Sequence, residues 1–434
     1  MRLKLLVYII LLFSGAHYCC CAQTPEKVLE KYVTARDSVY HWVTERGSTT
    51  TAGTFYEVKL ISQRWQGIIW THRLLLYVPA HARYAHTLLL VLRHLYNRNE
   101  GLAALAIISD STQTPSAFLY DIPNQPLFNG REEDDLQAYT FSRYIQSGDE
   151  SWPLLFPMVK TVVRAMDAIN DLITKEAKPV ISKFVIAGHS KRGHTAWLTA
   201  AVDERVKGII PIAIDVLNAK EQLPHHLTTF GHYSTPSAQA TAFLKELKQP
   251  RGKDLIRLID PYGYKRVLQI PALIVCATND EFFPTDALNL YWEGLKGPKS
   301  VLYLSNAGHV RADSDPRINP AAFAFVRAIA MEKTLPAFTW RLQQSARKVQ
   351  LMIHADTSTV KASIWRASSQ SRDFRQSQWR VSPLTATTNG SIKQFEAAVQ
   401  YPASGFVAFY AELTFTCDGH TFSLSTQTSI QGSK

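Results

Sequence analysis

Hydrophobic and polar positions along this chain follow more than one period. Thr87–Leu92 reads TLLLVL, apolar at nearly every position, and Phe184–Ala187, Gly208–Ile214, Ala272–Ala277 and Val301–Leu304 are similar. Runs without polar alternation predict strands buried on both faces, as in a parallel sheet. Helical spacing lies between them, over Glu100–Ile108, Leu155–Ile173, Lys191–Val202 and Asp286–Leu295. Strand and helix in alternation predict an α/β fold with helices on both sides of the sheet. Before the first such strand, Val28–Trp42 carries apolar residues at amphipathic-helix spacing, and Tyr56–Leu60 and Ile68–Val78 predict an antiparallel pair at the sheet edge.

The alternation is broken once, between Asp215 and Tyr264, by about 50 residues that include His225, His226, His232, Tyr233 and Tyr262. An insertion after a strand's carboxyl end predicts a cap over the site, built from two helices. A last helix, Pro320–Leu335, is stopped by Pro336. Beyond it the pattern becomes short alternating runs at Val349–His354, Val360–Trp365, Phe406–Phe415 and Thr421–Thr428, with turn signals at Asn389-Gly390 and Asp418-Gly419. This predicts a separate, all-β sandwich-like domain over residues 336–434, packed on the larger domain through part of one face. Its aromatics Trp365, Trp379 and Phe406 are expected to divide between its own core and that contact.

Composition adds the setting. Arg2 and Lys4 precede the apolar run Leu5–Phe13, and small residues follow up to Ala22. That order predicts a secretory signal over residues 1–22 and a secreted or periplasmic mature chain, with lipid attachment at Cys19, Cys20 or Cys21 as the alternative. No later segment has the roughly 18 consecutive apolar residues of a membrane span. Cys276 and Cys417 stand far apart, so neither a disulfide framework nor a cysteine metal site is expected. The net charge of +11 is scattered rather than clustered, which argues against nucleic acid as a partner.

The chemistry concentrates in Gly188-His189-Ser190-Lys191-Arg192-Gly193, where an apolar strand turns sharply into a helix. Such a turn exposes a serine hydroxyl above the sheet, with glycines where side chains do not fit. The second glycine falls one residue late, since Arg192 occupies its usual place. A nucleophilic serine needs a base and a carboxylate to orient it. Asp280 follows the strand ending at Ala277, and His309 follows the strand ending at Leu304. Ser190, Asp280 and His309 thus appear in hydrolase order at successive strand ends, with Asp215 the second choice for the acid and Glu281 a further competitor. The Lys191 N–H is the expected oxyanion donor, joined by an amide near His94–Tyr96. No cofactor and no metal are needed; His225, His226 and His232 read as polar loop residues, and Arg372-Asp373-Phe374-Arg375 as a solvated or interdomain charge pair.

Several of these segments together resemble the PhoPQ-activated pathogenicity-related protein family. They are the serine turn with Trp197–Asp203, Ile214–Asn218, Asn279–Phe283, Gln63-Arg64-Trp65 with Trp70 and His72, and Arg372–Arg375 with Trp379. The resemblance spans about Pro25 to about Thr428. It implies a secreted α/β-hydrolase-like domain followed by an immunoglobulin-like module, with His189 standing where a smaller residue is usual. The function expected is a serine hydrolase acting on a small-molecule or peptide ester or amide; the alternative is an exported, catalytically idle binding or signalling protein.

Overall fold

The computed structural model describes residues 24–233, 244–312 and 314–433. The expected signal segment lies outside them, as does part of the expected cap. Among the described residues no helix is long and apolar enough to cross a membrane.

The α/β half is built on strands β1 (His41–Thr49), β2 (Gly53–Trp65), β3 (Ile68–Pro79), β4 (Thr87–Leu92), β5 (Ser116–Leu119), β6 (Lys183–His189), β7 (Val206–Ile212), β8 (Ala272–Ala277) and β9 (Lys299–Leu304). They lie in the order β1-β2-β3-β5-β4-β6-β7-β8-β9. From β5 to β9 every pairing is parallel; β1 to β3, and β3 with β5, pair antiparallel. The apolar runs divide residue by residue between two faces. Leu88, Leu90, Ile186 and Ile274 join the core under helix Leu155–Lys175, while Leu89, Val185, Ile210 and Val275 meet Phe325 and Ile329 of helix Ile318–Ala330. Each such buried side chain contributes about 1.5–3 kcal/mol, so interrupting one run weakens both layers. The α/β expectation therefore holds.

Two local expectations need correction. The first helix covers Pro25–Thr34 only, and His41–Thr49 is instead the edge strand, paired with β2. Its side chains are nearly all exposed, so no apolar alternation marks it. Asp286–Leu295 is not an α-helix but two 3₁₀ turns, Ala287–Leu290 and Trp292–Gly294. Tertiary bonds hold it tight: Tyr291 donates to Asp215, and the ring of Tyr262 leaves no space for a Cβ at Gly294.

The strand-rich carboxyl region holds β10 (Phe338–Gln344), β11 (Lys348–Asp356), β12 (Thr359–Ser369), β13 (Arg380–Leu384), β14 (Ala386–Asn389), β15 (Ile392–Gln400), β16 (Phe406–Cys417), β17 (His420–Ser425) and β18 (Ser429–Gly432). One sheet runs β10-β11-β15-β14. The other, β17-β16-β12-β13, does not stand apart: β17 pairs antiparallel with β9, so one sheet of 14 strands crosses the whole molecule. Val349, Leu351 and Ile353 of one sheet and Ile364, Phe409 and Leu413 of the other share an apolar interior that continues to Phe325. The contact expected through part of one face is thus also an edge-to-edge join. Beside it Tyr303 of β9 packs on Tyr410, and Tyr410 on Trp379.

Candidate active site

Ser190 sits between β6 and helix Lys191–Ala200 with φ 55° and ψ −129°. A positive φ on a non-glycine residue costs on the order of 1–3 kcal/mol and persists only where the surroundings enforce it. Here they do. The Ser190 N–H donates to Ile212 O at 2.8 Å, and Ser190 O accepts from the N–H groups of Gly193 and His194. A Cβ at Gly188 would come within 2.6 Å of the Arg192 backbone, and one at Gly193 within 2.7 Å of Gly188 O. The late glycine is therefore the one that packs against the strand. Ser190 itself is half-buried and reachable, and the Lys191 N–H heads the helix among donors with no intrahelical partner.

Asp280 and His309 are brought together. His309 Nδ1 lies 2.9 Å from Asp280 Oδ2, both side chains are buried, and the other carboxylate oxygen accepts from the N–H groups of Phe282 and Phe283. The pairing leaves Nε2 as the histidine's outward nitrogen. Asp215 is elsewhere employed: its carboxylate accepts from the Tyr291 hydroxyl, and burial raises its pKa to about 6. Glu281 holds backbone rather than imidazole, accepting from the His309 N–H at 2.6 Å. Phe282 meets the His309 ring edge-on at 4.7 Å.

The Ser190–His309 hydrogen bond expected of this trio is not made: Ser190 Oγ bonds to no group among the described residues. His189, the residue before Ser190, instead lies beside His309, with ring centroids 4.7 Å apart and its Nε2 2.9 Å from His309 O. Through His189, Ser190 and His309 are brought into one neighbourhood without a direct bond between them.

A polar cluster that sequence reasoning missed adjoins the serine turn. Glu133, at the start of helix Glu133–Ser147, takes Lys191 Nζ on one oxygen and Arg192 Nη2 on the other at 2.7 Å, while Asp134 takes Lys191 at 2.8 Å. Burial pushes the Glu133 carboxyl up, but Lys191 and Arg192 outweigh it and hold it far below the usual carboxylate range. Gln125 also donates to Glu133, and His94 lies 3.4 Å away. The only hint in the sequence was the adjacent Lys191-Arg192 pair, whose partner is some 60 residues earlier.

Helices Ala219–Phe230 and Pro250–Ile259 lie within the residues of the expected cap. A cavity of about 210 Å³ lies beneath them, lined by Phe141, Val216, Leu223, Ile256, Phe283 and, one helical turn from Ser190, His194. The cap histidines are engaged with protein groups. His225 bonds Asp286 at 2.7 Å, and Asp286 also takes Arg372. His226 packs on Phe230 and Phe283, with burial lowering its pKa to about 4. Arg375 stacks on Phe230 at 4.0 Å and is held by Asp373. The Arg372–Arg375 segment is therefore a contact between regions rather than a solvated pair.

Among solved structures the chain is similar to the acetyl xylan esterase from Paenibacillus sp. R4, at 15% identity and a TM-score of 0.48 over 70% of this chain and 92% of that one. It is similar also to a glucuronoyl esterase from Solibacter usitatus, at 13% identity and a TM-score of 0.45 over 70% and 91%. In sequence it is 28% identical to the autocrine proliferation repressor protein A of Dictyostelium discoideum, over 95% of this chain and 89% of that protein. The family model for PhoPQ-activated pathogenicity-related protein matches residues 29–375, from the first helix into the loop after β12, and the chain belongs to that family.

Proposed function

We propose that this chain is an exported serine hydrolase cleaving an ester or amide, on an α/β-hydrolase scaffold over residues 23–335 followed by an immunoglobulin-like sandwich over residues 336–434. The observation that carries the reading is the buried 2.9 Å Asp280–His309 pair set beside a serine in a strained strand-to-helix turn. In the reaction Ser190 Oγ attacks the acyl carbon as its proton passes to His309 Nε2. The tetrahedral oxyanion is met by the Lys191 N–H, with an amide near His94–Tyr96 as second donor. His309 then protonates the departing oxygen or nitrogen, and water repeats the sequence to release the acid. Asp280 keeps the imidazole oriented and stabilises its charged form. The apolar cavity beneath the cap suits a hydrocarbon or aromatic group on one side of the scissile bond.

A second reading, an exported binding or signalling protein without turnover, is favoured by the unmade Ser190–His309 bond and by the similarity to a protein named for repressing proliferation. Labelling with a fluorophosphonate separates the two. The hydrolase reading expects one adduct on Ser190, absent from Ser190→Ala of unchanged circular dichroism; an unlabelled wild-type chain favours the second.

A further inference from the structure

The loop between β12 and β13, residues 370–379, comes from the carboxyl region and reaches both loops that carry Asp280 and His309. Asn279, the residue before Asp280, donates its Nδ2 to the carbonyls of Phe374, Arg375 and Ser377 at 3.3, 3.1 and 2.8 Å. Asn306, three residues before His309, pairs with the Trp379 backbone in both directions: Nδ2 to Trp379 O at 3.0 Å, and Trp379 N–H to Oδ1 at 2.8 Å. Between the two amides stands Thr278, whose hydroxyl donates to Asn279 Oδ1 and accepts from the Asn306 N–H. The Asn279 N–H in turn donates to Ala307 O. The acid loop, the base loop and the 370–379 loop thus form one closed network.

The loop is stiff enough to serve as a template. Phe374 and Trp379 are each 1% exposed, and Asp373 fixes Arg375 through two oxygens. Ser377 N–H donates to Phe374 O, and Ser369 Oγ to Asp373 O. Asn279 is half-buried and Asn306 lies at the surface, yet each amide is held by two or more backbone groups at once and cannot turn without losing them together. The backbones next to Asp280 and His309 are thus tied to a segment 73 to 98 residues later than the two asparagines.

We propose that Asn279 and Asn306 are positioning residues through which the 370–379 loop sets the Asp280–His309 pair, making the carboxyl β region a working part of the site rather than an appendage. The proposal rests on Asp280 and His309 being the acid and base of the preceding section. It expects a chain truncated near Leu335 to lose the reactivity of its serine.

The test uses the full chain and two readouts. One is the rate of fluorophosphonate labelling; the other is the downfield proton resonance of the His309 Nδ1–H···Asp280 bond, assigned by its loss in His309→Gln. In Asn279→Ala and Asn306→Ala, folded by circular dichroism with one melting transition, labelling slows on the order of 10²-fold, the cost of a misplacement near 1 Å. The Nδ1 resonance shifts or broadens in both. Asn279→Ser, which keeps a donor, recovers part of each signal and carries the test where an alanine variant does not fold. Trp379→Phe keeps the peptide groups that Asn306 uses, so it lowers stability yet leaves rate and resonance in place. Unchanged rate and resonance in the alanine variants overturn the proposal, as does a loss in Trp379→Phe equal to that in Asn306→Ala. If the wild-type chain does not label at all, the hydrolase reading fails, and the Nδ1 resonance alone decides the role of the loop.

Discussion

Around Ser190 the decisive contacts are close in sequence. Gly188, Gly193 and His194 lie within five residues of one another or of the serine, and Ile212 and Ile214, at the end of β7 and just past it, reach in from the neighbouring strand. Around Asp280 and His309 they are distant: the two side chains stand 29 residues apart, and Asn279 bonds carbonyls up to 98 residues away. A turn of the first kind needs only β6, its helix and the neighbouring β7. The second kind joins loops after β8 and β9 to a loop of the carboxyl region. The serine turn is thus a property of a motif, and the Asp280–His309 pair a property of distant elements brought together.

The sharpest way to break that comparison is to remove the acid. Asp280→Asn is expected to lower turnover or labelling by on the order of 10⁴, since the amide no longer holds the imidazole in its working tautomer. Asp215→Asn is expected to leave the labelling rate within about threefold of wild type. A large loss in Asp215→Asn with none in Asp280→Asn would move the acid to the earlier strand.

Next in size comes the local turn. Gly193→Ala drives a Cβ to within 2.7 Å of Gly188 O and 2.8 Å of Ile214, so it should destabilise the fold by about 1–3 kcal/mol in urea unfolding and lower labelling with it. Unchanged stability and labelling would mean that the turn relaxes freely and is not locally dictated.

The Asp215 carboxyl supplies a pH test. Burial raises its pKa from 3.8 to about 6, so folding is favoured most when it is protonated, and that advantage is lost as pH rises from about 4 through about 6. Asp215→Asn should therefore be more stable than wild type above pH 6, by on the order of 1–3 kcal/mol, with the gap closing toward pH 4. Thermal melts of both proteins across that range measure it, and a gap independent of pH would exclude this carboxyl as its source.

The smallest effect concerns the cluster under the serine turn. Glu133 is about a third exposed, so losing its charge in Glu133→Gln is expected to cost only about 1–2 kcal/mol at neutral pH. Because Lys191 and Arg192 depress its pKa, that contribution is present above the ordinary carboxylate range and fades as pH falls through the lowered value. Melting temperatures of variant and wild type should draw together in acid; a constant difference would point to lost packing instead.

By itself the sequence determined the two-faced strands, the serine turn and the order of Ser190, Asp280 and His309, because each follows from a short apolar run ending in one polar residue. It could not mark β1, whose exposed residues carry no alternation, nor the 3₁₀ turns after Pro284, where distant side chains overrule helical spacing. Glu133 stayed hidden because a lone carboxylate on a helix start is ordinary until Lys191 and Arg192 are folded against it. The sequence ranked Asp280 ahead of Asp215, and the tertiary structure pairs Asp280 with His309 while giving Asp215 to Tyr291. Only it joined β17 to β9 and laid residues 370–379 against Asn279 and Asn306. Such meetings of groups 73 to 98 residues apart, as at Asn306 and Asn279, leave no period in a sequence.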